Sequence, residues 1–200
     1  MIEHAKRFFE KGKTELKKAV DVVKEERARR EREKAYREEF EAEFRYKDDD
    51  LDFVMLISAE EAKIYEKAKK KLKEVERVQS DPQILKQWQS KKYLSLHHHF
   101  SEKVVFYYER RNEDPVALHR TIRYSERLVE YAPVAIKAYR MDPYVYELPE
   151  HPGYETLIAL YGEVGEWEEA LRLCEKARDQ GWKGDWDARI YQIQETIHKK

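Results

Sequence analysis

The stretch from Tyr154 to Trp182, YETLIALYGEVGEWEEALRLCEKARDQGW, constrains this chain more than any other. Tyr154, Leu157 and Tyr161 recur at the spacing of one face of an α-helix. Gly165 falls where that pattern breaks, and glycine accepts the positive φ of a tight turn after a helix. Trp167, Ala170, Leu171 and Ala177 then resume a helical pattern. Ala170 is small where two helices would cross closely, and Ala177 is small where a further helix would pack. The segment therefore predicts a helical hairpin with Tyr154, Leu157 and Tyr161 as its inner stripe.

Composition agrees with long helices. Glu, Lys, Arg, Ala and Leu dominate, while Gly and Pro number only six each in 200 residues. Aromatic residues make up 12%, enough large side chains for a core despite 40% charged residues. Basic and acidic residues nearly balance, 40 against 41, so total charge gives no reason to expect nucleic acid, although a local basic stripe could hide under it. Lys91-Lys92, Arg110-Arg111 and interleaved aromatics are the residues that would favour that class. Cys174 is the single cysteine, so no intramolecular disulfide can form, and a reducing cytoplasm fits. The longest apolar run, Phe53 to Ile57, is far too short to span a bilayer, and the N-terminus lacks the apolar core of a signal peptide. A cytoplasmic protein without a membrane partner is expected.

The hairpin residues quoted above resemble a tetratricopeptide repeat. Ile158 stands where that repeat usually has a small residue, and Trp182 where it usually has proline. The ending DQGWKGD is also similar to the pentatricopeptide variant, which reads RNA through long arrays with a basic groove. No such array is present here. A degenerate copy lies upstream: aligning Ala117 with Ala170 puts Tyr108 at Tyr161 and Val104 at Leu157, an offset of 53 residues. The usual period is about 34, and an insert over residues 133–152, with Pro133 ending a helix and a short one following through Val134, Ile136 and Tyr139, accounts for the excess. Gly181 and Gly184 close the second helix of the clear repeat, and Asp185 caps a last one bearing Trp186, Ile190, Ile193 and Ile197. The resemblance covers residues 94–198 and implies an all-α fold, a short α-solenoid similar to the small tetratricopeptide-like proteins of bacteria and phages. It also implies a partner-binding concave face on the first helix of each pair. By register that face carries Glu155, Ala159 and Glu163, joined by His99, Glu102, Phe106, Glu109 and Arg110 from the upstream copy. These same residues could instead be ordinary solvated helix faces.

Residues 1–80 read as a charged helical arm ahead of a repeat domain over 81–200. Phe9, Leu16, Val20 and Val23 make a short coiled-coil-like seam, and Tyr36, Phe40 and Phe44 restart an apolar line. YKDDDLD at 46–52 breaks the helix, because adjacent aspartates repel; a solvated acidic loop fits better than a calcium site, since the EF-hand glycine and terminal Glu are missing. Leu51 to Ile57 is a short strand or an extended segment. Ser58 and Glu61 have capping-box spacing, and Tyr65, Ala68, Leu72 and Val75 form a second seam. That seam can close an antiparallel hairpin or mediate a homo-oligomer. The arm holds 22 basic and 21 acidic side chains, so Lys69-Lys70-Lys71 reads as a solvated face.

Further along, Asp81-Pro82 and Asp114-Pro115 each place a capping Asp before proline at the first helical position. Between them His97, His98 and His99 invite a metal. Consecutive helical residues point about 100° apart, so three in a row cannot face one ion. One packed, one exposed and one groove-lining histidine is the expectation, with no metal and no cofactor. No nucleophile–base pair, carboxylate pair or glycine-rich phosphate loop has a recognisable context, and Cys174 falls on the buried side of the hairpin. The leading expectation is a non-catalytic scaffold for a peptide or partner protein. Self-association through the arm is the alternative, and nucleic-acid binding the less favoured one.

Overall fold

The computed structural model describes residues 42–199. The seam from Phe9 to Val23 and the residues Tyr36 and Phe40 lie outside the described residues. By contacts the chain divides into two compact units, Met1–Glu43 with Leu56–Ala59, and Phe44–Met55 with Glu60–Lys200.

Among the described residues the protein is mostly helical, with one small sheet. Two strands, β1 (Ala42–Lys47) and β2 (Asp52–Ile57), pair with each other. Six helices follow: α1 (Ala59–Val78), α2 (Pro82–Tyr108), α3 (Pro115–Met141), α4 (Pro152–Val164), α5 (Trp167–Gln180) and α6 (Trp186–His198). The sheet qualifies the all-α expectation. Phe44, expected to continue a helical line, lies in β1, where Phe44 and Tyr46 are buried between exposed Glu43, Arg45 and Lys47. That alternation has period two and marks a half-buried strand. Phe53 to Ile57 is strand as well, with Met55 inward and Val54 outward.

The aspartate run is the hairpin turn. Asp48 accepts from the backbone amides of Asp50 (3.0 Å) and Leu51 (2.8 Å), and from the Tyr46 hydroxyl (2.9 Å). Lys137 on α3 pairs with Asp48 at 3.2 Å and Asp50 at 2.8 Å. Partial desolvation works against the Asp48 carboxylate, but these donors outweigh it and hold its pKa down to about 2. Phe44, Tyr46 and Phe53 then pack on Tyr65, Tyr93 and Tyr131, with ring centroids 4.9–5.9 Å apart.

From α2 onward each helix packs on the next, and α2 also packs on α4. The capping aspartates are as expected: Asp81 accepts from the Gln83 amide and Asp114 from the Val116 amide, both at 2.8 Å. His151 caps α4 by accepting from the Tyr154 amide at 3.2 Å. Gly165 ends α4 with φ 79°, the left-handed conformation expected of the turn. Gly153 lets the start of α4 approach α3 closely, since a Cβ there would sit 2.9 Å from the Ser125 carbonyl oxygen.

Pro133 does not end its helix. α3 runs through it to Met141, so residues 133–141 of the expected insert are helical and only 142–151 form a connector. Proline removes a backbone hydrogen bond and costs about 3 kcal/mol in a helix interior. Here Ala132, Val134, Ala135 and Ala138 around it are all 0% exposed, and their burial offsets that cost. Much of the excess over a regular period is thus helix: α2 and α3 have 27 residues each, against 13 and 14 in α4 and α5. The connector is tied down where Leu148 is buried and where Lys183 donates its amide to the Pro149 carbonyl. Tyr144 and Tyr146 in the same connector are 52% and 94% exposed.

Candidate functional site

A cavity opens between α1 and α2, which are joined by three residues. The two helices run antiparallel, because Lys103 near the end of α2 pairs with Glu60 at the start of α1 at 3.1 Å. They are set apart rather than closely packed along their lengths, leaving a groove of about 700 Å³. The wall from α1 is the stripe Ile64, Lys67, Ala68 and Lys71, flanked by Lys70 and Glu74. The α2 wall is Trp88, Lys91, Lys92, Ser95, His98, His99 and Glu102. Both stripes follow the three–four spacing of a single helix face.

What holds α1 in place is a buried ion pair. Arg127 on α3 donates to Glu61 on α1 at 2.6 Å, with the side chains only 8% and 3% exposed. Arg127 also lies over the Phe100 ring, 4.9 Å from its centroid. Glu61 is therefore an interhelix anchor, a role beyond its expected capping one. Leu72 is the buried apolar contact further along α1.

Electrostatically the groove is dominated by five lysines. Among the described residues Lys67 and Lys70 have no carboxylate partner. Lys71 pairs with Glu74 at 3.1 Å, both exposed. Lys91 donates to Gln87 at 3.2 Å and sits 4.7 Å over the Trp88 ring. Lys92 sits 3.9 Å over the Tyr93 ring. Burial lowers the pKa of His98, against Glu102, and burial likewise lowers that of His99, against Glu60. Both imidazoles are thus neutral near pH 7, and the positive charge comes from the ammonium groups. This local charge is invisible in the total. Residues 59–103 carry eleven basic and seven acidic side chains, and residues 109–199 carry thirteen and eighteen.

The three histidines do not divide into one packed, one exposed and one in the groove: His97 is packed inside, while His98 and His99 share the groove wall. His97 is buried, stacked on Trp182 at 5.8 Å and edge-on to His151 at 5.4 Å and Tyr139 at 5.6 Å. Among the described residues no group hydrogen-bonds to either of its ring nitrogens. Burial drives its pKa well below the ordinary value, and burial lowers that of His151 to about 3. His98 and His99 both line the groove, His98 with the larger exposed surface and His99 packing on Phe100 and Tyr124. Among the described residues no group of three His, Cys, Asp or Glu is placed to hold a metal ion. Cys174 is buried inside the α4–α5 hairpin, and burial raises its thiol pKa to about 11.

The eight residues expected on a concave face do not share one cavity. His99 and Glu102 line the α1–α2 groove. Phe106, Glu109 and Arg110 are exposed at the far end of α2, with Arg110 3.9 Å over the Phe106 ring and 3.7 Å from Glu109. On α4, Glu155 pairs with Arg189 of α6, Ala159 is exposed, and Glu163 lies 3.9 Å from Arg111. That last pair is the described link between the two sets. Conversely, sequence reasoning passed over Lys67, Lys70, Lys71 and Trp88 as groove residues. Their signal was present as helical stripes of like charge, but the expected domain boundary near residue 80 separated two helices that share a compact unit.

No helix among the described residues is long and apolar enough to cross a membrane. No protein-family model, curated protein or solved structure matches the chain.

Proposed function

We propose that this chain is a non-catalytic protein-interaction module, a short tetratricopeptide-like array that presents the α1–α2 groove to a peptide or partner helix. The observation that carries the reading is the groove itself, about 700 Å³ between two helices with an apolar floor and a basic rim. Supporting the repeat are the packing of α2 to α6 in succession and the contact of α2 with α4. In such arrays the first helices of neighbouring pairs lie side by side. Tyr154, Ala170, Cys174 and Ala177 are each 0% exposed, as the repeat register requires. The arm helix α1 and the first array helix α2 then build the site together, so arm and repeat act as one binding surface.

Affinity capture from native extract tests this reading. The wild-type chain should retain a specific protein set that Lys70→Glu/Lys92→Glu or Ala159→Lys/Glu163→Lys depletes. Equal recovery by the wild type and both variants would overturn it. Retention of nuclease-sensitive material alone would favour the nucleic-acid reading, for which the clustered lysines and Trp88 are the relevant observation.

A further inference from the structure

We infer that the α1–α2 groove is specific for a short acidic helical segment with an aliphatic anchor, and not for a nucleic-acid strand; this rests on the protein-interaction reading above. The rim supplies cations that lack acidic partners. Lys67 and Lys70 have none among the described residues, and Lys91 and Lys92 rest on Trp88 and Tyr93, at 4.7 and 3.9 Å from the ring centroids. A carboxylate approaching any of the four displaces no existing ion pair, so the gain is not offset by a lost one.

The same contacts argue against bases. Binding of single strands relies on open aromatic faces for stacking. Here each of the two aromatic rings near the basic rim already has a lysine ammonium over one face. All five groove cations are lysines, whereas planar two-pronged phosphate recognition is the province of arginine.

The basic stretch is also finite. Because α1 and α2 are antiparallel, Glu102 borders it at one end and Glu74 at the other. From Trp88 to Glu102 the α2 wall spans about 21 Å, or roughly four helical turns. A phosphate chain continuing in either direction would meet a carboxylate, while a helix of about twelve residues would end before it. Between the lysines, Ile64 and Ala68 leave an aliphatic floor for one apolar side chain.

The test uses the full chain and a fluorescein-labelled synthetic helix of about twelve residues, with Glu at i, i+4 spacing and a central Leu. Its Gln-for-Glu counterpart and an oligothymidylate of matching length serve as controls. Fluorescence anisotropy should show saturable binding of the Glu peptide, weakened about tenfold or more by Gln for Glu, by Lys70→Glu/Lys92→Glu and by raised salt. Ile64→Ser should weaken it several-fold, about the effect of losing one buried aliphatic contact. Circular dichroism confirms that each variant is folded. Equal binding of the Glu and Gln peptides would overturn the inference, as would tighter lysine-dependent binding of the oligothymidylate. So would absent peptide binding with a doubled mass in sedimentation that Lys70→Glu/Lys92→Glu abolishes, since a second copy would then be the occupant. If the peptide fails while capture of a protein still responds to Ala159→Lys/Glu163→Lys, the groove assignment falls and the interaction module stands. If both fail, both fall.

Discussion

The front of the molecule, α1 with α2, and the rear, α4 to α6, are built by opposite means. In the rear, small residues let helices touch: Ala170, Cys174 and Ala177 are fully buried, and glycines end α4 and α5 in the left-handed conformation. Residues 152–198 carry ten acidic and five basic side chains. At the front the helices stand apart, and α1 is held by one buried ion pair, a half-buried Tyr65 and Leu72. Close packing joins the rear helices. Looser anchoring leaves the front a groove of about 700 Å³. The hairpin that resembles a repeat is thus where helices pack closely, and the candidate groove lies outside it.

The contrast can be broken most strongly at Glu61. Glu61→Ala removes the buried carboxylate that Arg127 donates to and should cost about 3–5 kcal/mol in urea unfolding. Glu61→Leu with Arg127→Met should recover most of that loss, as buried ion pairs replaced by apolar side chains often do. An unchanged stability for Glu61→Ala would show that α1 is held by something else. In the rear, Ala170→Leu should cost about 1–3 kcal/mol by overpacking, yet leave peptide binding at the front unchanged if the chain still folds. Gly165→Ala should cost about 1–2 kcal/mol, because the alanine must adopt φ near 79°.

Acid sharpens the comparison. His97 and His151 are neutral in the fold because burial lowers their pKa values, that of His151 to about 3. The unfolded chain binds their protons near the ordinary value of about 6.5. Below that pH the unfolded state therefore holds more protons, and stability falls as pH drops toward about 3. His97→Phe removes one of these groups, so the variant should lose less stability than wild type between about pH 7 and about pH 5. Parallel curves would contradict this account of the His97–Trp182 stack.

Smallest is the hairpin turn. Lys137→Met removes the cation shared by Asp48 and Asp50, and should speed amide exchange at Leu51 with no measurable change in global unfolding.

The rear was legible because its cues are local. Spacing, a turn glycine and two small residues within one stretch specify a hairpin without reference to anything distant. Capping aspartates at 81 and 114 were legible for the same reason. The front was not, because its features depend on contacts far apart in sequence. Pro133 looks like a helix end until the buried alanines and valine around it are placed. Phe44 fits a helical line until β2 pairs with it. Lys67 and Lys92 become neighbours of one groove only through Glu61 and Arg127, 66 residues apart. The histidine run was readable only in outline: helix geometry turns His97 away from its neighbours, but its partners come from α3, the connector and the turn after α5.

The most direct measurement is the affinity of the Glu peptide for three chains: wild type, Lys70→Glu/Lys92→Glu and Ala159→Lys/Glu163→Lys. The account predicts that the front variant loses about tenfold or more while the rear variant keeps wild-type affinity within about twofold. Loss in the rear variant alone would place the binding surface on α4 and contradict the division of labour drawn between the two ends.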